Sequence, residues 1–308
     1  MKAIEITSKE YSSLHPKYFS SFDLPAFILL NEAKVDKIKY FVFNDGKNRF
    51  CIAGGLKNNI LKFPFSASFA CLNEITLNNK INYYHQAIQA LIEWSKTNQI
   101  NSIRFAAPPE SYNISHITKI QNALICCGFE IESIDVNFEL MINQDIDYTK
   151  SLNSDARRHL KNSVKHGLVF LKTDNIDLMY DVIRQNRESK GYPLWMSSSD
   201  IENTSKIIKS DYFLVQKEGE IIASAFVHHI TKDIVRIVYW GNLPNSDIYR
   251  PMYFMAYNIY EYYKTLGKRF IDIGTSTVDG VPNYGLCDFK ESIGCICSPK
   301  INWLFNNI

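Results

Sequence analysis

Asp272 is one candidate for a catalytic residue, because of its type and its setting. It lies in an otherwise apolar strand-like run, 270–274, where it shares one face with Phe270 and Gly274. Burial raises a carboxyl pKa toward neutrality, so Asp272 is a candidate to orient an amine or to accept its proton. An equal alternative is a structural partner for Arg269 or for a loop backbone amide, because buried carboxylates are usually paired.

A second candidate is a row of basic residues in the segment 154–167. Ser154 is suited to cap a helix there and Gly167 to end it. Arg157, Lys161 and Lys165 then fall in one i, i+4 row, with Arg158 and His166 adjacent. Such a row is able to hold one to three phosphates. A solvated helix face is the alternative reading, because basic clusters are common on surfaces.

The elements that position these residues follow from hydrophobic periodicity and turn signals. The first half predicts strands over 39–44, 49–56 and 68–72, a helix over 81–97, a strand over 100–106, a helix over 115–127 and a strand over 134–142. The second half predicts strands over 211–216, 221–230 and 233–240, a helix over 251–266 and a strand over 269–274. The order strand, strand, strand, helix, strand therefore occurs twice. We interpret the chain as α/β, with modules over 1–148 and 149–308.

Composition excludes several classes of protein. The 308 residues carry 34 basic and 32 acidic side chains without a long run of either sign, so no DNA-binding or membrane-surface footprint is expected. The N-terminus does not resemble a secretory signal, and the longest apolar stretch is too short to span a bilayer. Seven irregularly spaced cysteines fit a reducing compartment and form no recognisable zinc pattern. We therefore predict a cytoplasmic protein without integral membrane association and without a metal.

The residues from 270 onward resemble a known signature. The run FIDIGTS at 270–276, followed by GLCDFKESIG at 285–294, is similar to the C-terminal signature of FemAB-like acyltransferases. The specific features are a strand ending in Asp-x-Gly and a Phe-Lys-Glu before a Gly. The resemblance implies two tandem GNAT-fold modules, each with a mixed central sheet flanked by helices. The repeated order of elements agrees with this and does not depend on it.

The resemblance also implies an activity and a site. The activity is N-acyl transfer to an amine of a cell-envelope precursor, glycan or small molecule, in a slot where two parallel central strands separate. Lys290 is the catalytic residue that the resemblance indicates, approaching the developing oxyanion or a substrate phosphate, and Asp272 is the second catalytic candidate because of its place in the strand. The residues expected to bind donor or substrate are Tyr239, Trp240, Arg250, Gly274, Thr275, Asn283, Arg157, Arg158 and Lys161.

Two acyl donors and one non-enzymatic function stay open at this point. Acyl-CoA is favoured because the segment between Phe170 and Asp211 is too short for the long helical arm of some aminoacyl-tRNA-using members. Aminoacyl-tRNA is favoured by the resemblance itself and by the loop 242–250, which lacks a Gly-rich phosphate cradle. The third possibility is a catalytically silent duplicate that binds a glycan or a protein partner.

Overall fold

The computed structural model describes residues 1–14 and 16–307. Its helices are α1 (Ser8–Ser13), α2 (Pro25–Leu30), α3 (Ile81–Thr97), α4 (Ile114–Cys126), α5 (Ser154–Lys165), α6 (Ile176–Lys190), α7 (Ser198–Ser205), α8 (Pro251–Thr265) and α9 (Tyr284–Ser292). Its strands are β1 (Lys2–Ile6), β2 (Lys37–Asn44), β3 (Asn48–Lys57), β4 (Ile60–Phe63), β5 (Asn73–Glu74), β6 (Ser102–Ala106), β7 (Glu130–Met141), β8 (Val169–Thr173), β9 (Ser210–Lys217), β10 (Glu220–His229), β11 (Ile234–Asn242), β12 (Phe270–Thr275), β13 (Thr277–Val278), β14 (Val281–Pro282) and β15 (Ile296–Asn306).

The chain forms two compact units. The first unit contains Met1–Val136 together with Thr277–Val281 and residues 298–307. The second contains Asn137–Ser276 and Pro282–Cys297. The predicted module bounds, 1–148 and 149–308, differ from this division: the segment 137–148 clusters with the second unit, and 277–281 and 298–307 cluster with the first.

The first unit is built on a mixed sheet with the order β1, β2, β3, β4, β6, β15. All neighbours in it are antiparallel except β4 and β6, which pair in parallel from Ile60–Ser102 to Phe63–Phe105. Helices α3 and α4 contribute their apolar faces to its core. Burial of these faces stabilises both the helices and the sheet.

The second unit repeats this plan. Its sheet has the order β7, β12, β11, β10, β9, β8, and the single parallel pair is β11 with β12. Helix α8 buries Met255, Ala256, Ile259 and Tyr263 against the strands, at the i, i+3, i+4 spacing of one helical face. Helix α6 packs the opposite side of the sheet through Met179 and Ile183. The expected α/β fold, with a mixed sheet flanked by helices, is confirmed.

Some predicted elements differ from the structure. The strand that follows the β2–β3 hairpin is β4, whereas the predicted segment 68–72 is not a strand and donates the Ala70 N–H to Ala106 O (2.9 Å). That segment is buried, and an apolar run of this length looks the same in a strand and in a buried loop. The sequence did not predict the helices α1, α2, α6, α7 and α9 or the strands β1, β4, β5, β8, β13, β14 and β15. Among the described residues, no helix has the length and apolarity needed to cross a bilayer.

Candidate active site

The two parallel strands of the second unit separate part of the way along. Strands β11 and β12 pair only from Ile234–Phe270 to Arg236–Asp272, although β11 continues to Asn242. Each strand also has an irregularity near this point, because the β10–β11 register shifts beside Val238 and the β12–β7 register shifts beside Ile273. Bulges of this kind bend a strand away from its neighbour. Every second N–H of the β11 segment 237–242 therefore faces a gap rather than β12.

Asp272 lies at the closed end of this gap. It is fully buried and forms an ion pair with Arg236 of β11. Its Oδ1 also accepts hydrogen bonds from Asn137 Nδ2 (2.9 Å) and from the Gly274 backbone N–H (2.8 Å). Arg269, the partner considered from sequence, instead pairs with Asp233 at the surface. Asp272 is thus held by an arginine, an amide and the loop N–H.

Gly274 is the residue that allows this arrangement. Its φ of 76° lies in the left-handed region that side chains other than glycine rarely adopt. A Cβ at this position would lie 2.9 Å from Arg236 Nη2. Glycine is therefore required both by the backbone conformation and by the closeness of the guanidinium.

Lys290, in α9, is buried beneath the free end of β12. Its ammonium donates to the carbonyl oxygens of Ile273 (3.2 Å), Gly274 (2.8 Å) and Thr275 (3.1 Å). An ammonium has three N–H donors, so these bonds use all of them. Burial lowers the pKa of Lys290 to about 8, against a smaller opposing effect of Cys295 and Asp272. Lys290 therefore holds the backbone of the separated strand, and Thr275 meets it through its carbonyl rather than its side chain.

A cavity of about 400 Å³ opens along the free end of β11. Three residues expected from sequence line it, namely Trp240, Arg250 and Asn283. The other lining residues are Lys190, Tyr192, Gly241, Asn242, Asp247, Pro251, Met252, Tyr253, Gly285, Leu286 and Phe289. The Phe289 ring packs edge-on against both Trp240 (5.8 Å between centroids) and Tyr253 (5.3 Å). The cavity therefore has an aromatic wall built from β11, α8 and α9.

Charged side chains of both signs lie around the same cavity. Asp247 accepts a hydrogen bond from Asn242 Nδ2 (2.8 Å). No ion pair within 4.0 Å involving Asp247, Arg250 or Lys190 is found among residues 1–14 and 16–307. All three are exposed to solvent. The cavity thus offers one carboxylate and two cations to a ligand.

The N-terminus of α8 borders the cavity without forming a phosphate cradle. Pro251 has no N–H, the Arg250 N–H donates to Asp247 O (3.1 Å), and the Tyr253 N–H donates to Arg250 O (3.3 Å). Arg250 itself has a φ of 55°. Anion binding at a helix N-terminus needs free amides, and the loss of these three leaves a larger share of any anion's contacts to side chains.

Tyr239 and Asn283 contact the loop 191–197, and Tyr192 of this loop lines the cavity. Burial raises the pKa of the Tyr239 hydroxyl, and the backbone N–H groups of Trp195 and Met196 at that hydroxyl act in the opposite direction. Asn283 caps α9 through the Leu286 N–H (3.1 Å) and donates to the Tyr192 hydroxyl (2.9 Å). Tyr239 does not line the cavity, and its contact with this loop supports the wall indirectly.

Helix α5 lies beside α8 with its basic row exposed. The Asn153 side chain, rather than Ser154, caps it by accepting from the Ala156 N–H (2.8 Å). The ring of His159 packs against that of Tyr253 (4.9 Å), and burial together with Arg250 lowers the pKa of His159. The exposed residues Arg157, Arg158 and Lys161 do not line the cavity. Arg158 pairs with Asp155 (3.0 Å), and both partners are largely solvent-exposed.

In the first unit, the position that corresponds to the cavity beside β11 is filled by side chains. The Phe63 side chain at the end of β4 covers Gly54, where a Cβ would lie 2.4 Å from the ring. The nearby cavity, lined in part by Asp23, Phe27 and Phe69, has a volume of about 20 Å³, which holds about one water. Within the described parts of both units, no three His, Cys, Asp or Glu side chains are arranged to hold a metal ion.

Several cavity residues were not selected from sequence. Lys190, Asp247 and Phe289 lie at the end of a helix, in a 3₁₀ turn and in the middle of a short helix, far apart in the chain. Phe289 and Tyr192 are aromatic residues, which usually pack in cores or loops, so their residue types alone did not indicate a site. The available signal was the place of Phe289 in the Phe-Lys-Glu motif, although neighbouring helical residues face different directions.

Comparison with known proteins shows which solved structures have a similar fold. No protein-family profile and no curated protein sequence matches the chain. Among solved structures it is similar to FemX, with a TM-score of 0.71 and 14% identity over 100% of this chain and 98% of that one. It is also similar to the C-terminal domain assigned to a lysylphosphatidylglycerol synthetase of Agrobacterium fabrum, with a TM-score of 0.64 and 11% identity over 97% and 92% of the two chains.

A third similar structure is a tandem GNAT protein from the clavulanic acid biosynthesis pathway. Its TM-score is 0.53 and its identity 5%, over 99% of this chain and 98% of that one. Identities this low establish the fold alone. The chain has the tandem GNAT-like fold that these structures share.

Proposed function

We propose that this protein is an N-acyltransferase whose site is the gap between β11 and β12 together with the cavity beside it. The observation that carries the proposal is the early end of the parallel pairing at Arg236–Asp272, with an aromatic cavity along the free end of β11. A carbonyl placed in the gap would meet backbone N–H groups that have no strand partner there. Such preorganised donors stabilise the oxyanion of a tetrahedral intermediate.

The reaction needs an uncharged amine as nucleophile. Its nitrogen attacks the carbonyl carbon, the bond from that carbon to the donor's oxygen or sulfur breaks, and the proton from nitrogen leaves with the departing group or through water. Asp272 and Lys290 are positioning residues in this proposal. Asp272 fixes Arg236 and the Gly274 turn, and Lys290 fixes the carbonyls of the free end of β12.

The donor we favour is an aminoacyl ester of RNA. The α8 N-terminus offers few backbone donors to the pyrophosphate of coenzyme A, because Pro251 has no N–H and the amides of Arg250 and Tyr253 are engaged. The phosphates of a flexible RNA strand would instead bind the side chains of Arg250 and of the exposed row on the neighbouring helix, Arg157, Lys161 and Lys165. Successive members of that row are separated by about 6 Å along the helix axis, a spacing compatible with consecutive phosphates.

Acyl-CoA is the second candidate. The tandem GNAT structure with a TM-score of 0.53 is described in connection with AcCoA, and this chain shares its fold. An amine of a cell-envelope precursor, glycan or small molecule is the proposed acceptor in either case. The intracellular location is also a proposal.

Donor use is tested by incubating the purified protein with a set of amines and either acetyl-CoA or aminoacyl-tRNA, and measuring the acylated amine by mass spectrometry. We expect product with aminoacyl-tRNA, and acylation from acetyl-CoA alone would replace the favoured donor by the second. The control is Gly285→Leu, which adds a side chain beside the cavity at a position where a Cβ meets only Asn283 Oδ1 at 3.8 Å. This variant should stay folded and lose transfer. Absence of product with every donor would contradict the enzymatic proposal and leave a silent binding duplicate.

A further inference from the structure

The carboxylate of Asp247 is the feature of the cavity that a generic acyl group does not need. An acetyl or a fatty acyl chain is neutral, and an aromatic wall alone would suffice to hold it. Asp247 nevertheless lines the same cavity, and its one side-chain hydrogen bond within the described chain comes from the neutral amide of Asn242. A carboxylate beside aromatic rings is a favourable environment for a protonated amine.

The two cations of the cavity do not neutralise this carboxylate directly. Arg250 and Lys190 both line the cavity, yet neither comes within 4.0 Å of an Asp247 oxygen among the described residues. Three charges of mixed sign that share a cavity without pairing match a ligand that itself carries both signs. An amine near the transferred carbonyl and an anionic carrier beyond it would satisfy all three.

We infer that Asp247 is a specificity-determining residue that selects a protonated amine on the transferred acyl group, with the aromatic wall of Trp240, Tyr253 and Phe289 as the second contact of that amine. The inference rests on the proposed function for the assignment of the cavity to the acyl group. It goes further in assigning the recognition of the amine on that group to one residue, Asp247, and to the aromatic wall.

Binding is measured with two amides that differ only in the amine, L-leucinamide and 4-methylpentanamide, by NMR titration at pH 7. The wild-type protein should bind L-leucinamide about tenfold more tightly, as one partly exposed ion pair plus a cation–π contact provide. Asp247→Asn should reduce this ratio to within about twofold and leave the affinity for 4-methylpentanamide unchanged. Asparagine retains an acceptor for Asn242 Nδ2, so the variant should keep the wild-type melting temperature.

Asp288→Asn is the matched control, because Asp288 is exposed on α9 outside the cavity. It should keep the wild-type ratio. Equal affinities of the two amides for the wild-type protein, or a preference that survives Asp247→Asn, would overturn the inference. In the transfer assay, alanyl and isobutyryl groups on the same carrier provide a second, isosteric pair. Failure of all transfer would count against the proposed function, while the binding ratio would still decide the role of Asp247.

Discussion

Replacing Lys290 by methionine tests the role of the buried ammonium. The side chain is 2% exposed and gives all three N–H groups to the carbonyls of Ile273, Gly274 and Thr275. Methionine preserves much of the volume but donates nothing. The variant therefore loses three hydrogen bonds, and it also removes the cost of burying a charge.

The pH dependence separates these two effects. Burial lowers the pKa of Lys290 from the ordinary value of 10.5 to about 8 in the folded protein. Between these two pH values the unfolded chain binds more protons than the native one, so the stability contributed by Lys290 rises with pH. From pH 7 to pH 10 the wild-type protein should gain about 2.5 kcal/mol relative to Lys290→Met. Near pH 7 the relief of charge burial offsets part of the lost hydrogen bonding.

The measurement is urea-induced unfolding of both proteins at pH 7, 8, 9 and 10. Groups common to both proteins cancel in the difference between their unfolding free energies. Lys161→Met, on the exposed face of α5, is the control for loss of a surface lysine. A difference between wild type and Lys290→Met that stays constant, or that falls with rising pH, would refute the argument that Lys290 is a desolvated ammonium held by carbonyls.

Three further predictions concern buried charge and backbone conformation. Asp272→Asn should lower the unfolding free energy by about 3–5 kcal/mol because it removes the charged carboxylate of a buried ion pair. Asp233→Asn, in an exposed pair, should cost less than about 1 kcal/mol. Equal losses in urea unfolding would be inconsistent with this reasoning. Burial raises the pKa of Asp23 to about 6. As the pH rises from 4 to 7, the unfolding free energy of the wild-type protein should therefore fall by about 2 kcal/mol relative to that of Asp23→Asn. A rise over that range would disprove this prediction. Gly274→Ala should destabilise the protein by more than about 1 kcal/mol, because residue 274 has a left-handed φ. Gly285→Ala, in α9, should be neutral or stabilising. Thermal unfolding of both variants measures the difference.

The amino-acid sequence determined the repeated order of elements. Hydrophobic spacing predicted α3, α4 and α8 within one residue of their observed bounds, because each has a continuous apolar face and a clear end signal. The hairpin strands β9 and β10 were also predicted, because a turn sequence separates two apolar runs. These are local properties, and short segments are sufficient to encode them. The buried segment 68–72 was misassigned as a strand because burial alone does not reveal hydrogen-bond partners.

The candidate site depends far more on the tertiary structure. Sequence placed Trp240, Arg250 and Asn283 near the site, and all three line the cavity. It did not show that Asp272 would pair with Arg236, since only the register of β11 and β12 brings them together. The roles of these residues in catalysis stay predictions.

Lys290 illustrates the difference most clearly. The motif around it was visible in the sequence, and its burial was not, because a lysine next to Glu291 is equally compatible with a surface position. The packing of α9 beneath the free end of β12 decided that its ammonium meets three carbonyls. Local sequence encodes which segments form helices and strands. The partners of a buried charge depend instead on which distant segments the fold brings within about 3 Å of it. Spacing along the chain does not specify that distance.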